Sequence, residues 1–315
     1  MSSGLRTLGD EGAPSGPHTS SWTDETWDAF VRANERATYL QTHAWSRVKA
    51  ATGWASTLIG DVGGPPGEGS RLGARVLHRP IPLLPYRFAY APRGPITETW
   101  TFRTPLEWSV ACAMAAAKGG PLERSAILRM DPEVEAGTTY HSSDQDGGNT
   151  VTLSIEELLA SAGWRRAHDM QPRRTRIVDL TAEEDALWSD LRKKWRQYVN
   201  KARNAGIVVR DVDPRAEPDA FDKFYQVMRE VSKRTALPLR SAATFRAVWE
   251  AFAPTGESRL QFAEAEGEVQ AVLLTVRCGT RVVEPYGGMT SAGAESRANY
   301  LLKWEAIRSS REQGA

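Results

Sequence analysis

The densest chemistry in this sequence is positive charge. Between Arg192 and Arg203 stand six cations (Arg192, Lys193, Lys194, Arg196, Lys201 and Arg203) and no acid, in a chain whose formal net charge is only +1. Cations repeated along one helical face can follow the phosphates of a nucleic-acid backbone, because each neutralised phosphate releases condensed counterions. The same run also reads as a solvated helix face, and charge alone leaves both readings open. A second basic group, Arg165, Arg166, Arg173, Arg174 and Arg176, precedes it.

Other chemistries lack their residues. The five histidines (His18, His43, His78, His141 and His168) show no metal-ligand spacing, so no metal is expected. No nucleophile elbow and no Cys–His or Ser–His arrangement is evident, which argues against a covalent acyl-enzyme. Cys112 and Cys278 lie far apart in apolar segments and read as buried thiols. Gly287-Gly288 lacks the pattern of a phosphate loop, and no cofactor is expected. With 41% hydrophobic and 25% charged residues, the 315-residue chain fits a soluble globular protein of about two domains. No apolar run approaches the ~20 residues of a membrane span, and Met1 to Ser21 has no hydrophobic signal core, so a cytoplasmic location is expected.

The elements that would position these residues read as two similar halves. Residues 1–21, rich in Gly, Ser and Pro, read as a disordered tail. A helix capped by Ser21 or Thr23 carries Trp27, Phe30 and Val31, and a second spans Ala44 to Ala51. Strands follow at Ala55 to Asp61, Arg71 to Arg79 and Arg87 to Ala91, then a helix from Thr104 to Lys118 and a strand from Ser125 to Met130 that ends before Asp131-Pro132. His141 to Asn149 reads as a polar loop, Ile155 to Ala162 as a helix and Arg176 to Leu180 as a strand. Leu187, Leu191, Trp195, Tyr198 and Ala202 recur at helical spacing, giving one basic linking helix over 187–205 that Gly206 terminates. The second half repeats the order, with helices around Phe221 to Val231 and Ala242 to Phe252, strands at Arg259 to Glu264, Val269 to Cys278 and Arg281 to Tyr286, and a closing helix from Ser296 to Arg311. This duplicated α/β unit lacks, in its second copy, the strand that follows the last helix of the first.

Six collinear stretches resemble the Fem family of aminoacyl-tRNA-dependent peptidyltransferases: Gln41 to Trp54, Tyr90 to Ile96, Ile127 to Val134, Gln171 to Thr181, Leu191 to Val209 and Tyr286 to Gly314. The resemblance implies an α/β (α+β) fold of two tandem GNAT-like (acyl-CoA N-acyltransferase-like) domains, expected at 22–180 and 181–315, the second without its last strand. It also implies transfer of an amino acid from its tRNA ester to an amine. The ester is already activated, so such an enzyme must mainly align both partners, take a proton from the amine and stabilise an oxyanion.

By the same resemblance, Asp131 is the catalytic candidate, a carboxylate lining the cleft that accepts a proton from, or orients, the attacking ammonium; its alternative is a cap on the following turn. Lys49, Arg240, Tyr286 and Asn299 are implied in acceptor binding, Lys49 and Arg240 through phosphate. Four residues after Arg240, where the family carries a tyrosine, this chain has Thr244, with an aromatic only at Phe245. Trp304 falls on the apolar face and reads as core. Lys193, Lys194, Arg196, Lys201 and Arg203 are expected to hold tRNA from the globular surface, since no helical arm is inserted near them. The expected partners are aminoacyl-tRNA and a peptide or peptidyl-nucleoside acceptor such as an antibiotic intermediate. The alternatives are a UDP- or lipid-linked muropeptide of peptidoglycan, and an inert RNA-binding module.

Overall fold

The computed structural model describes residues 22–36, 38–61, 71–143 and 150–314; the expectation for the N-terminal tail lies outside them. In the first half, helices α1 (Asp24–Ala33) and α2 (His43–Ala50) precede strands β1 (Ala55–Asp61), β2 (Leu72–Pro80), β3 (Arg87–Ala91) and β4 (Ile96–Thr97), then helix α3 (Thr104–Ala116) and strand β5 (Ser125–Met130). A hairpin of β6 (Thr139–Ser143) and β7 (Thr150–Ser154) leads into α4 (Ile155–Ser161). The second half contains α5 (Glu184–Asp190), α6 (Lys193–Asn204), β8 (Val208–Val212), α7 (Ala220–Thr235), α8 (Ala242–Phe252), β9 (Ser258–Ala265), β10 (Glu268–Cys278), β11 (Arg281–Met289), α9 (Ser291–Ser296) and α10 (Ala298–Glu312).

The first sheet runs β1-β2-β3-β5, with β4 also on β2, and its β3–β5 pair is parallel because α3 carries the chain back across the sheet. The second runs β11-β10-β9-β8 and is antiparallel throughout. Among the described residues β11 pairs with β10 and no strand follows α10. Thr23 caps α1 in a reciprocal capping box.

Three apolar cores hold this arrangement. One lies between the first sheet and α3, around Ala74, Val76 and Trp108. A second lies between the second sheet and α6 and α10, around Leu273, Leu301 and Trp304, and buries Trp304 as expected. The third is shared: Trp27, Phe30 and Tyr39 of the first half pack with Phe221, Phe245 and Phe252 of the second. This continuous apolar contact, with α2 lying against α8, fixes the two halves relative to each other. Both cysteines are buried free thiols.

Three local expectations fail for physical reasons. The linking helix over 187–205 is two helices, broken at Leu191 and Arg192, whose ψ values are 134° and 140°. The break lets Leu187 on one piece and Val199 and Ala202 on the other reach a single core, which a straight stripe at helical spacing could not do. Residues 176–180 form no strand; Ile177 and Val178 are both exposed, so no buried face sets a register. The polar loop over 141–149 begins inside a hairpin, in which Tyr140 pairs with Leu153 and His141 with Thr152; β-branched and aromatic residues on both strands outweigh the polar ones. Residues 144–149 lie outside the described structure.

Candidate active site

Asp131 stands where β5 ends beside β3, and its position is set by a chain of hydrogen bonds that begins in the core. Gln41, fully buried between α1 and α2, accepts from the Arg75 amide at 2.7 Å and donates to the Pro92 carbonyl at 2.7 Å. That contact fixes the turn after β3, and the next amide, of Arg93, donates to Asp131 Oδ1 at 2.6 Å. Tyr90 of β3 donates its hydroxyl to Oδ2 at 2.8 Å. Burial pushes the Asp131 carboxyl above its ordinary value; the Arg93 amide and Tyr90 oppose the rise, and the nearby Glu133 adds to it. Each oxygen keeps a second lone pair, so this half-buried, proton-seeking carboxylate can still accept from an amine. The turn it caps is the one at Arg93, not the Pro132 turn considered from sequence.

Glu133 ties this group to the second half. It lies 3.7 Å from Arg93 and forms an ion pair with Arg281 at the start of β11. Burial raises the Tyr90 hydroxyl pKa further above its usual range, Asp131 contributes to the rise, and the Gln171 side chain shares that hydroxyl.

Lys49, Arg240 and Tyr286 make up the other part of the candidate site. Lys49, on α2, lies over the rings of Trp54 at 5.2 Å and Trp45 at 5.9 Å. Burial lowers its pKa, as do the positive charges of Arg240 and Arg79. Arg79 in turn stacks over Trp54 at 4.6 Å. Among the described residues, Lys49, Arg79 and Arg240 form no salt bridge. Like charges gathered without an acid are unfavourable unless an anion joins them. Tyr39, 8% exposed, connects the two parts: burial raises its pKa, Tyr286 adds to the rise, and Arg240 and Arg93 oppose it. Tyr286 sets its ring edge-on to Phe245 at 4.7 Å, and burial raises its hydroxyl pKa against the effect of Arg240. Phe245 is 2% exposed and belongs to the core, so the aromatic displaced by one position does not replace the absent tyrosine. Thr244 instead donates its amide to the Ser241 hydroxyl that caps α8.

The remaining candidates lie elsewhere. α6 and α10 cover the face of the second sheet opposite α7 and α8. Asn299 sits in the first turn of α10; the next residue, Tyr300, meets Trp195 at 4.9 Å and Tyr198 at 4.7 Å, with Arg297 over Tyr198 at 4.6 Å. Lys193, Lys194 and Lys201 are exposed, and among the described residues they form no ion pair. Arg196 and Arg203 are engaged internally. Arg196 donates to the carbonyls of Trp188, Ser189 and Leu191, closing the end of α5, and Arg203 pairs with Glu305 at 3.2 Å. Sequence reasoning missed Tyr39, Arg79, Tyr90, Arg93 and Glu133 as individuals. Tyr90, Arg93 and Glu133 fall inside stretches that carried the family resemblance, which was the available signal.

Lipid II:glycine glycyltransferase of Staphylococcus saprophyticus subsp. saprophyticus is 26% identical over 246 residues, covering 78% of this chain and 55% of that protein. The protein of the same name in Staphylococcus aureus (strain MRSA252) is 25% identical over 238 residues, covering 76% and 53%. The chain thus spans about half the length of the curated relatives it matches. The crystal structure of FemX superposes with a TM-score of 0.74 at 18% identity, covering 93% of this chain and 86% of that one, and this shared fold carries the GNAT-like architecture of both halves. The FemAB family profile matches residues 22–267, and the chain belongs to the FemAB family.

Proposed function

We propose that the protein is an aminoacyltransferase that moves an amino acid from its tRNA ester to the amine of a lipid-linked muropeptide. The observation that carries this reading is the gathering of Lys49 with Arg79 around Trp54 and with Arg240, none of which forms a salt bridge among the described residues; Tyr39 is influenced by both Arg240 and Arg93, and the Arg93 amide holds Asp131. Such a cluster suits the phosphates of an acceptor, and the similarity to lipid II:glycine glycyltransferases favours the wall precursor over a soluble antibiotic intermediate. It replaces the preference for a peptidyl-nucleoside acceptor, which rested on the absent tyrosine at Thr244 and the absent last strand: three cations supply charge that one hydroxyl would only supplement.

In this reading the acceptor amine, delivered close to Asp131, attacks the ester carbonyl. Its proton passes to the Asp131 carboxylate, a C–N bond forms, and the C–O bond to the tRNA ribose breaks, the leaving oxygen taking up the proton. Tyr90 and the Arg93 amide hold the carboxylate in place, which is the pre-alignment an already activated ester needs. Lys193, Lys194 and Lys201, beside the rings of Trp195, Tyr198 and Tyr300, give tRNA a charged and stackable surface on the far face of the second sheet.

The test is single-turnover transfer from a full pool of charged tRNAs to lipid-linked muropeptide, UDP-linked muropeptide and amine-bearing peptidyl nucleosides. Transfer to muropeptide is expected. Transfer to a peptidyl nucleoside alone would overturn the acceptor, and no transfer to any amine would overturn the reaction.

A further inference from the structure

The turn between β2 and β3 carries an apolar tip that no part of the described residues covers. Leu83, Leu84 and Tyr86 are 103%, 55% and 48% exposed, on a turn closed by the Ile81 amide donating to the Tyr86 carbonyl at 2.9 Å. Leu83 has φ +65°, a left-handed conformation that Gly or Asn adopts at lower cost. A large apolar side chain is thus kept where both its backbone and its contact with water are unfavourable. Arg79, Arg87, Lys118 and Arg124 are exposed at the same end of the sheet, where the Arg87 amide donates to the Arg124 carbonyl. The acid there, Glu123, accepts from the Gly119 amide.

We propose that this turn inserts into the surface of an anionic lipid bilayer, with Leu83 and Leu84 among the acyl chains and the arginines at the headgroups. Apolar side chains ringed by cations match the chemistry of that boundary. The geometry also serves the reaction. Tyr90 pairs with Leu77 and stands three residue steps along β3 from Arg87 at the base of the turn, about 10 Å at ~3.3 Å per residue. Arg79 lies between, over Trp54 and near Lys49. A diphosphate at the bilayer surface would therefore meet the cations while the peptide it bears reaches Asp131. This deepens the reading of a lipid-linked acceptor and rests on it.

The test is flotation of the full chain with phosphatidylcholine vesicles, with and without phosphatidylglycerol, for the natural sequence and for the pair Leu83→Asn, Leu84→Ser. Asn suits the positive φ, so this variant should fold as well as the parent, which its thermal unfolding checks. Binding to anionic vesicles that falls roughly tenfold or more in the variant is expected, as is weakening of the parent's binding by salt. Transfer to UDP-linked muropeptide should be unchanged in the variant, and transfer to vesicle-borne muropeptide should fall. No flotation by the parent, or equal flotation by the variant, would overturn the proposal. So would a parent dimer that the substitutions dissociate, which would assign the tip to a second copy. Vesicle binding needs no reaction, so flotation without transfer would refute the acceptor reading alone.

Discussion

Lys49, Arg79 and Arg240 in the cleft, and the six cations from Arg192 to Arg203, present opposite relations between sequence and environment. The cleft cations come from three separated segments, and none stands out by local charge. Folding places them together and half-buries Lys49, and among the described residues no carboxylate balances them. The α6 cations are dense in sequence, yet Arg196 closes α5 and Arg203 pairs with Glu305, which leaves Arg192 and the three exposed lysines without an ion pair among the described residues. Charge density along a chain therefore says less about binding than whether the fold supplies a counter-ion.

The experiment with the largest expected effect asks whether the cleft does chemistry at all. Asp131→Asn should lower single-turnover transfer by about 10²- to 10⁴-fold with little change in thermal stability. The sign follows from its raised pKa. The fold favours the protonated carboxyl, so Asp131 contributes stability below its ordinary value of 3.8, and that contribution is lost as pH rises through the raised value. The amide thus removes a charge the fold disfavours. Equal turnover in the variant would return Asp131 to a turn cap. In the parent, transfer should rise with pH through a value above 3.8 as the carboxylate forms.

Next in size, Lys49→Gln and Arg240→Gln should each raise the half-saturating concentration of a phosphate-bearing acceptor by about 10- to 100-fold, and leave an acceptor without phosphate unaffected. Acceptor binding should also weaken on the alkaline side below pH 10.5, because burial and neighbouring cations make Lys49 lose its proton early. A Lys49 variant with unchanged acceptor binding would make the cleft cations no different from solvated ones.

On α6, replacing Lys193, Lys194 and Lys201 by Gln should reduce the salt dependence of tRNA binding by ~0.7 to 0.9 log units per lost phosphate contact, read by filter binding across a salt series. The smallest effect sharpens the contrast within the helix itself. Arg196→Gln should cost about 1 kcal/mol of stability by uncapping α5, with tRNA affinity nearly unchanged. A large affinity loss without destabilisation would reverse its assignment.

Much of the architecture was legible because it rests on local periodicity. Strands β1 to β3, β5 and β9 to β11 alternate or run apolar, and helices α7, α8 and α10 show a single apolar stripe. The order of elements alone reveals the duplication. The sequence could not show the break at Leu191, because a helical stripe is equally satisfied by one helix or by two that bend toward the same core around Trp304. Nor could it show that Ile177 and Val178 remain exposed, since alternation expresses a capacity to pair and says nothing of a partner.

For the site, the sequence by itself pointed to the family and named Asp131, Lys49 and Tyr286 from within its collinear stretches, and Arg240 from the family pattern around it. Only the tertiary structure decided what those residues are to one another. Asp131 is held by Tyr90 and Arg93 through a chain that begins at Gln41, and Lys49 shares its charge environment with Arg79 and Arg240. Asn299 stands in the first turn of α10, next in the chain to Tyr300, which meets the aromatics of α6. The physical reason is that pKa values, unpaired charge and desolvation belong to the space between segments distant in sequence, and that space is set by the apolar core joining the two halves.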